Sequence, residues 1–215
     1  MPVFFRIPQY ISLFFILCCL SVAGFSSPAP AQTRESRLDE LITAVRDISS
    51  IRANFVQITD IPMFAQPVKT HGLLLYLKPD SLLWEYQRPF VEGFSLKNGR
   101  VVRWENSRAN IIGKEAGQDR LTSLIADKLM AWVSLDLERI RQEYTVEVID
   151  AAPVTIFLVP KGKNLREIVA NLTITFQANG VASSVVLREA RGGATTISFI
   201  DTVINTAISP AEFPQ

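Results

Sequence analysis

The sequence predicts a mainly β fold (α+β), an antiparallel meander with one helical block set between two runs of strands. Three observations carry this. FSLKNGRVVRWE (94–105) places Asn98-Gly99, a pair suited to the two positive-φ positions of a type I′ turn, between apolar arms. NLTITF (171–176) alternates with period two, Leu172, Ile174 and Phe176 against Asn171, Thr173 and Thr175. DRLTSLIADKLMAWVSLDLERIRQEY (119–144) changes to helical spacing, with Leu121, Leu124, Ile125, Leu129, Trp132 and Val133 in register.

In chain order, residues 1–31 read as a cleaved signal peptide. Arg6 is their only charge, and ISLFFILCCLSVAG (11–24) is shorter than the about 20 residues a membrane helix needs. Ala29-Pro30-Ala31 fits the small-x-small cleavage pattern, which leaves one domain over 32–215. Both cysteines, Cys18 and Cys19, fall in the leader, and neither follows a small residue as a lipidation site requires. The processed chain then has no disulfide and no thiolate metal site.

SRLDELITAVRDISSI (36–51) predicts a short amphipathic helix, with Ser36 and Asp39 resembling a capping box. The period changes to two from Ala53, where RANFVQIT begins a strand, and IPMFAQPVK makes a long connection. After the helical block, Leu135, Leu137 and Ile140 predict a second short helix. Asn179-Gly180 and Gly192-Gly193 then turn successive strands of a meander.

The charges exclude some functions. Without Arg6, the 22 basic residues become 21, against 21 acidic, so no global charge draws the chain to nucleic acid. The single histidine, His71, has no second histidine or cysteine to join it. The carboxylates Glu85, Glu138 and Glu143 read as scattered, solvated groups. No nucleophile elbow, phosphate loop or zinc spacing occurs. Catalytic residues, metal and cofactor are therefore expected to be none.

Apolar surface remains. In GLLLYLKPDSLLWEYQRP (72–89), Leu73, Leu75 and Leu77 point one way and Leu74 and Tyr76 the other, so both faces are apolar. Leaving these side chains in water forgoes about 1.5–3 kcal/mol each. They belong either to a compact core or to a cavity between a curved sheet and a helical lid.

The order Phe55-x-Gln57, Gly72, Lys78-Pro79, Trp84, Pro89 resembles the periplasmic outer-membrane lipoprotein carrier (LolA-like) family. Asn98-Gly99, Leu158-Val159-Pro160 and Phe213 stand where that family has a turn, a strand end and a late Phe element. The resemblance implies an incomplete antiparallel β-barrel, a half-barrel, covered by a lid of short α-helices around an apolar cavity. It also implies a soluble periplasmic chaperone, a monomer that shields the acyl chains of a lipoprotein or related amphiphile. Its implied partners are that cargo, an inner-membrane releasing transporter and an outer-membrane acceptor. A lipid-sensing regulatory module is the alternative, and a lipid- or glycan-acting enzyme the third reading.

On this resemblance the lipid-binding lining is Phe55, Leu75, Leu77, Trp84 and Phe94 from the sheet, with Leu124, Ile125, Leu129 and Trp132 from the lid, 119–143. The family places an arginine before the first proline as a lid latch. Lys78 stands there instead, keeping the charge and losing the planar fork.

Overall fold

The computed structural model describes residues 33–109, 111–112 and 120–215, without the side chains of Ile112, Arg120, Leu121 and Leu124. The expected signal peptide lies outside the described residues. Chain order runs α1 (Arg34–Arg46), β1 (Ser50–Asp60), β2 (Val68–Leu77), β3 (Ser81–Arg88), β4 (Glu92–Lys97), β5 (Arg100–Glu105) and β6 (Ile111–Ile112). Then follow α2 (Arg120–Val133), α3 (Leu137–Glu143), β7 (Tyr144–Ala151), β8 (Val154–Pro160), α4 (Lys163–Arg166), β9 (Val169–Phe176), β10 (Ala182–Glu189) and β11 (Ala194–Ile204), with a 3-10 turn at Pro210–Glu212.

The strands form one sheet in the order β6-β5-β4-β3-β2-β1-β11-β10-β9-β8-β7. It is antiparallel at every described pairing, and its ends β6 and β7 do not meet, so the barrel is incomplete. Chain order survives as spatial order except where β11 returns beside β1, joining the two meanders.

Local chemistry sets most of the breaks. Asn98 and Gly99 have φ of 50° and 74°, the positive values the β4–β5 hairpin requires. Leu135 lies in the left-handed region at φ 48°, which stops α2, and Asp136 restarts the chain as α3 by accepting from the Arg139 amide at 3.2 Å. The first helix starts earlier than its expected capping box. Thr33 is the N-cap, its hydroxyl accepting from the Ser36 amide at 3.2 Å, and Ser50 and Ile51 already belong to β1.

The inner face of the sheet and the helices enclose the main core. Leu38, Leu41 and Val45 of α1, Ala126 and Met130 of α2, and Leu137 and Ile140 of α3 pack with Leu74, Tyr76, Leu82, Ile156, Leu172 and Ile174. Tyr144 closes this core at its edge. Burial pushes its phenol up to about 12, with the Glu143 carboxylate adding to the shift.

A second, smaller core occupies the outer face, and it answers the doubly apolar strand. Leu75, Leu83 and Trp104 pack beneath Ile208 and Phe213, with Leu73 and Leu77 at the margin. The chain after β11 thus crosses the outer face as a strap. Lys97 Nζ donates to the Pro210 carbonyl at 2.8 Å and Arg52 pairs with Glu212 at 2.7 Å, which fixes the strap to β4 and β1.

Candidate functional site

Phe55, Gly72 and Trp84 lie on three neighbouring strands and meet at one point. Phe55 pairs with Gly72 across β1 and β2, and Trp84 pairs with Leu74 across β2 and β3. The absent side chain at Gly72 is what lets the Phe55 ring cross β2. A Cβ there would fall on that ring and on the Glu85 carbonyl. Phe55 then stacks on Trp84 with centroids 4.2 Å apart and planes 26° from parallel. Tyr86 and Phe199 complete the cluster edge-on, at 5.6 Å from Phe55 and 6.3 Å from Trp84 respectively. Gln57 serves the same cluster, because the Tyr86 hydroxyl donates to its Oε1 at 3.0 Å.

These aromatics floor a cleft of about 330 Å³ whose roof is α2. Trp84, Tyr86, Phe94 and Ile197 line it from the sheet, and Ile125 and Leu129 from the helix. Gln57, Glu92, Arg103, Glu105 and Thr122 give its walls a few polar groups, which is the usual make-up of a ligand cleft. The roof is incomplete. Ala126 is fully buried, whereas the neighbouring Ile125 stays 44% exposed over the cleft. A larger hollow of about 510 Å³ lies between α2, α3 and the β8–β9 connection, lined by Lys128, Glu143, Lys163, Leu165 and Ile168, but it has no aromatic floor.

The expected lining divides. Trp84, Phe94, Ile125 and Leu129 line the cleft, and Phe55 lies beneath it in the stack. Trp132 is turned toward Tyr144, edge-on at 6.4 Å, on another side of α2. Leu75 and Leu77 are corrected: they face outward into the core under the strap, and the inward residues of β2 are Leu74 and Tyr76. Because side chains alternate along a strand, Trp84 pointing inward sends its chain neighbour Leu83 outward, together with Leu75, the cross-strand partner of Leu83. The side chain of Leu124 lies outside the described residues.

Lys78 meets a helix C-terminus, though not that of the 119–143 segment. Its Nζ donates to the carbonyls of Arg46 at 2.6 Å and Val45 at 3.5 Å, both in the last turn of α1. A cation there complements the helix dipole, contributing about 0.3–1 kcal/mol at an exposed position. Lys78→Leu should therefore leave the thermal midpoint nearly unchanged while loosening the end of α1, read as faster amide exchange over 44–49. Lys78→Arg should restore protection, and equal exchange in all three proteins would make the lysine an ordinary turn residue.

Glu85, a solvated carboxylate on the sequence pattern, is instead buried on the outer face, 5% exposed. Arg108 donates to both its oxygens, at 2.5 and 2.8 Å, and that bonding holds the guanidinium even more firmly protonated. The pair also places Arg108 over the Trp104 ring at 5.9 Å. It is structural, on the face away from the cleft floor. Among the described residues, no cluster of three or more histidine, aspartate and glutamate side chains is placed to hold a metal, and no helix is long and apolar enough to cross a membrane.

No curated protein sequence matches the chain. Solved structures match the chain only at low identity. A LolA superfamily protein from Nitrosomonas europaea is 10% identical, with 86% of this chain and 99% of that chain covered and a TM-score of 0.42. The lipoprotein LppX from Mycobacterium tuberculosis is 8% identical, with 82% and 97% covered and a TM-score of 0.41. MucB in its complex with MucA from Pseudomonas aeruginosa is 9% identical, with 83% and 59% covered and a TM-score of 0.44. The family model for the outer membrane lipoprotein carrier protein LolA matches residues 46–214, a span that holds every strand of the sheet, the cleft and nearly all of the strap. The chain belongs to the LolA family of outer membrane lipoprotein carrier proteins.

Proposed function

We propose that the chain is a periplasmic carrier, exported by cleavage near Ala31, that shields the acyl chains of a lipoprotein or related amphiphile beneath α2. It acts as a monomer and by binding rather than by catalysis, taking cargo from an inner-membrane transporter to an outer-membrane acceptor. The observation that carries this reading is the apolar cleft with its aromatic floor and its partly exposed helical roof, in a family of carriers. At about 330 Å³ the cleft is at the small end of ligand pockets, about 300–1,000 Å³. Admitting more than part of one acyl chain therefore requires α2 to lift. Residues 120–143 are the movable lid in this account.

An acylated peptide tests it. Binding should slow amide exchange across 120–143, because closure removes water from the apolar face of α2. It should also alter tryptophan emission from Trp84. Ile125→Glu, which puts a carboxylate at the roof without disturbing the buried face, should weaken binding about tenfold or more. Equal exchange with and without the peptide, together with unchanged binding by Ile125→Glu, would make the helical segment a fixed part of the core.

A further inference from the structure

The two ends of the sheet differ in a way the cleft does not explain. Register places the β1–β2, β3–β4, β8–β9 and β10–β11 connections at one end: Thr59 pairs with Val68, His71 with Arg88, Asp60 and Arg188 with Ala194, and Glu189 with Val169. At that end Met63 is 89% exposed, Phe64 57%, Phe90 73% and Ile168 66%. The turns at the opposite end, around Pro79, Asn98-Gly99, Pro153 and Asn179, expose no large apolar side chain among the described residues.

We infer that this rim docks on the interfacial zone of an anionic phospholipid bilayer, with Met63, Phe64, Phe90 and Ile168 inserted. These four side chains are spread over three loops, Met63 and Phe64 on one and Phe90 and Ile168 on the others, and each can enter a fluid interface. Charge agrees with the choice. Lys161, Lys163 and Arg166 precede Ile168 against Glu167 alone, and Arg166 and Lys161 bond backbone carbonyls, which leaves their charge unneutralised. The rim also adjoins the cleft, since Glu92 and Gly93 of its wall follow Phe90 and Val91 directly. Resting on the carrier reading, the docked rim would bring the cleft to the depth at which acyl chains leave a bilayer.

Sedimentation with protein-free vesicles tests this, using the chain expressed from its full sequence and its variants in the same form. The unsubstituted protein should sediment with vesicles of phosphatidylcholine and phosphatidylglycerol and less with phosphatidylcholine alone. Phe64→Asp and Phe90→Asp should each weaken that binding about tenfold. Asn98→Asp, at the opposite end, should not weaken it, and all three variants should keep the thermal midpoint, since the replaced side chains are exposed. Uptake of a monomeric fluorescent fatty acid, measured without vesicles, should be retained by the rim variants because none of those residues lines the cleft. Vesicle binding that is absent, or unaltered in Phe64→Asp and Phe90→Asp, overturns the docking rim. Equal binding to both vesicle types overturns its anionic specificity. Failed fatty-acid uptake beside intact vesicle binding would instead remove the carrier reading and leave the rim standing.

Discussion

Replacing Phe213 by alanine should lower the unfolding free energy by about 3–5 kcal/mol, the range for truncating a buried aromatic side chain. The side chain is 2% exposed and lies in the small outer core with Leu75, Leu83, Trp104 and Ile208. That core has few members, so the vacated volume cannot be filled by neighbours and Leu75 and Leu83 would be wetted. Urea denaturation at equilibrium measures the loss, and a change below about 1 kcal/mol would mean that the strap merely rests on the sheet. The strap also brings an acid sensitivity. A hydrogen bond from Arg52 is the main cause holding the Glu212 carboxyl below its usual value, helped by the Ser209 amide. A depressed carboxyl stabilises the fold above its unfolded value near 4.5, and the contribution is lost as pH falls through the lower folded value. Glu212→Gln should therefore flatten the acid side of the stability profile, leaving the Phe213 effect in place.

The strap shows why part of this fold was hidden in the sequence. Leu73 to Leu77 announce two covered faces, yet TAISPAEFPQ reads as a polar tail with Ile208 and Phe213 as isolated apolar residues. The contact spans more than a hundred residues, and no local period signals it. The same uniform leucine content hides which face of the strand is inward, so the sequence puts Leu75 and Leu77 in the lining while the fold turns them outward. Turns were legible because their cause is local: Asn98-Gly99 and Gly192-Gly193 all take positive φ, which few other residues tolerate. The break between α2 and α3 was legible for the apolar spacing alone, not for Leu135 in the left-handed region. At the cleft, Phe55, Gly72 and Trp84 stood out by order and spacing. The reason for that spacing, a ring lying over a glycine to reach an indole, emerges only when three strands are in register. The Glu85–Arg108 pair leaves no sequence signal, because its arginine lies on a connection 23 residues away, where no pattern ties it to β3.

Trp84→Ala should be the most disruptive single change in the inner core, and its effect should couple stability to binding. Trp84 is 4% exposed, stacked on Phe55 and edge-on to Phe199, so truncation should cost about 3–5 kcal/mol. Phe55→Ala should cost a similar amount, but the two losses should not add. Part of each is the shared stack, about 0.5–1.5 kcal/mol beyond the area buried, and a double-mutant cycle isolates it. The void left by the indole differs from one in a sealed core because it opens into the cleft floor. An acyl probe can therefore refill it, and saturating probe should raise the midpoint of Trp84→Ala more than that of the unsubstituted protein. A tryptophan that only packed the core would show the same loss with no extra recovery, since the probe could not reach the space. Recovery by the probe in Trp84→Ala, and none in Phe213→Ala on the opposite face, would place the acyl chain on the aromatic floor.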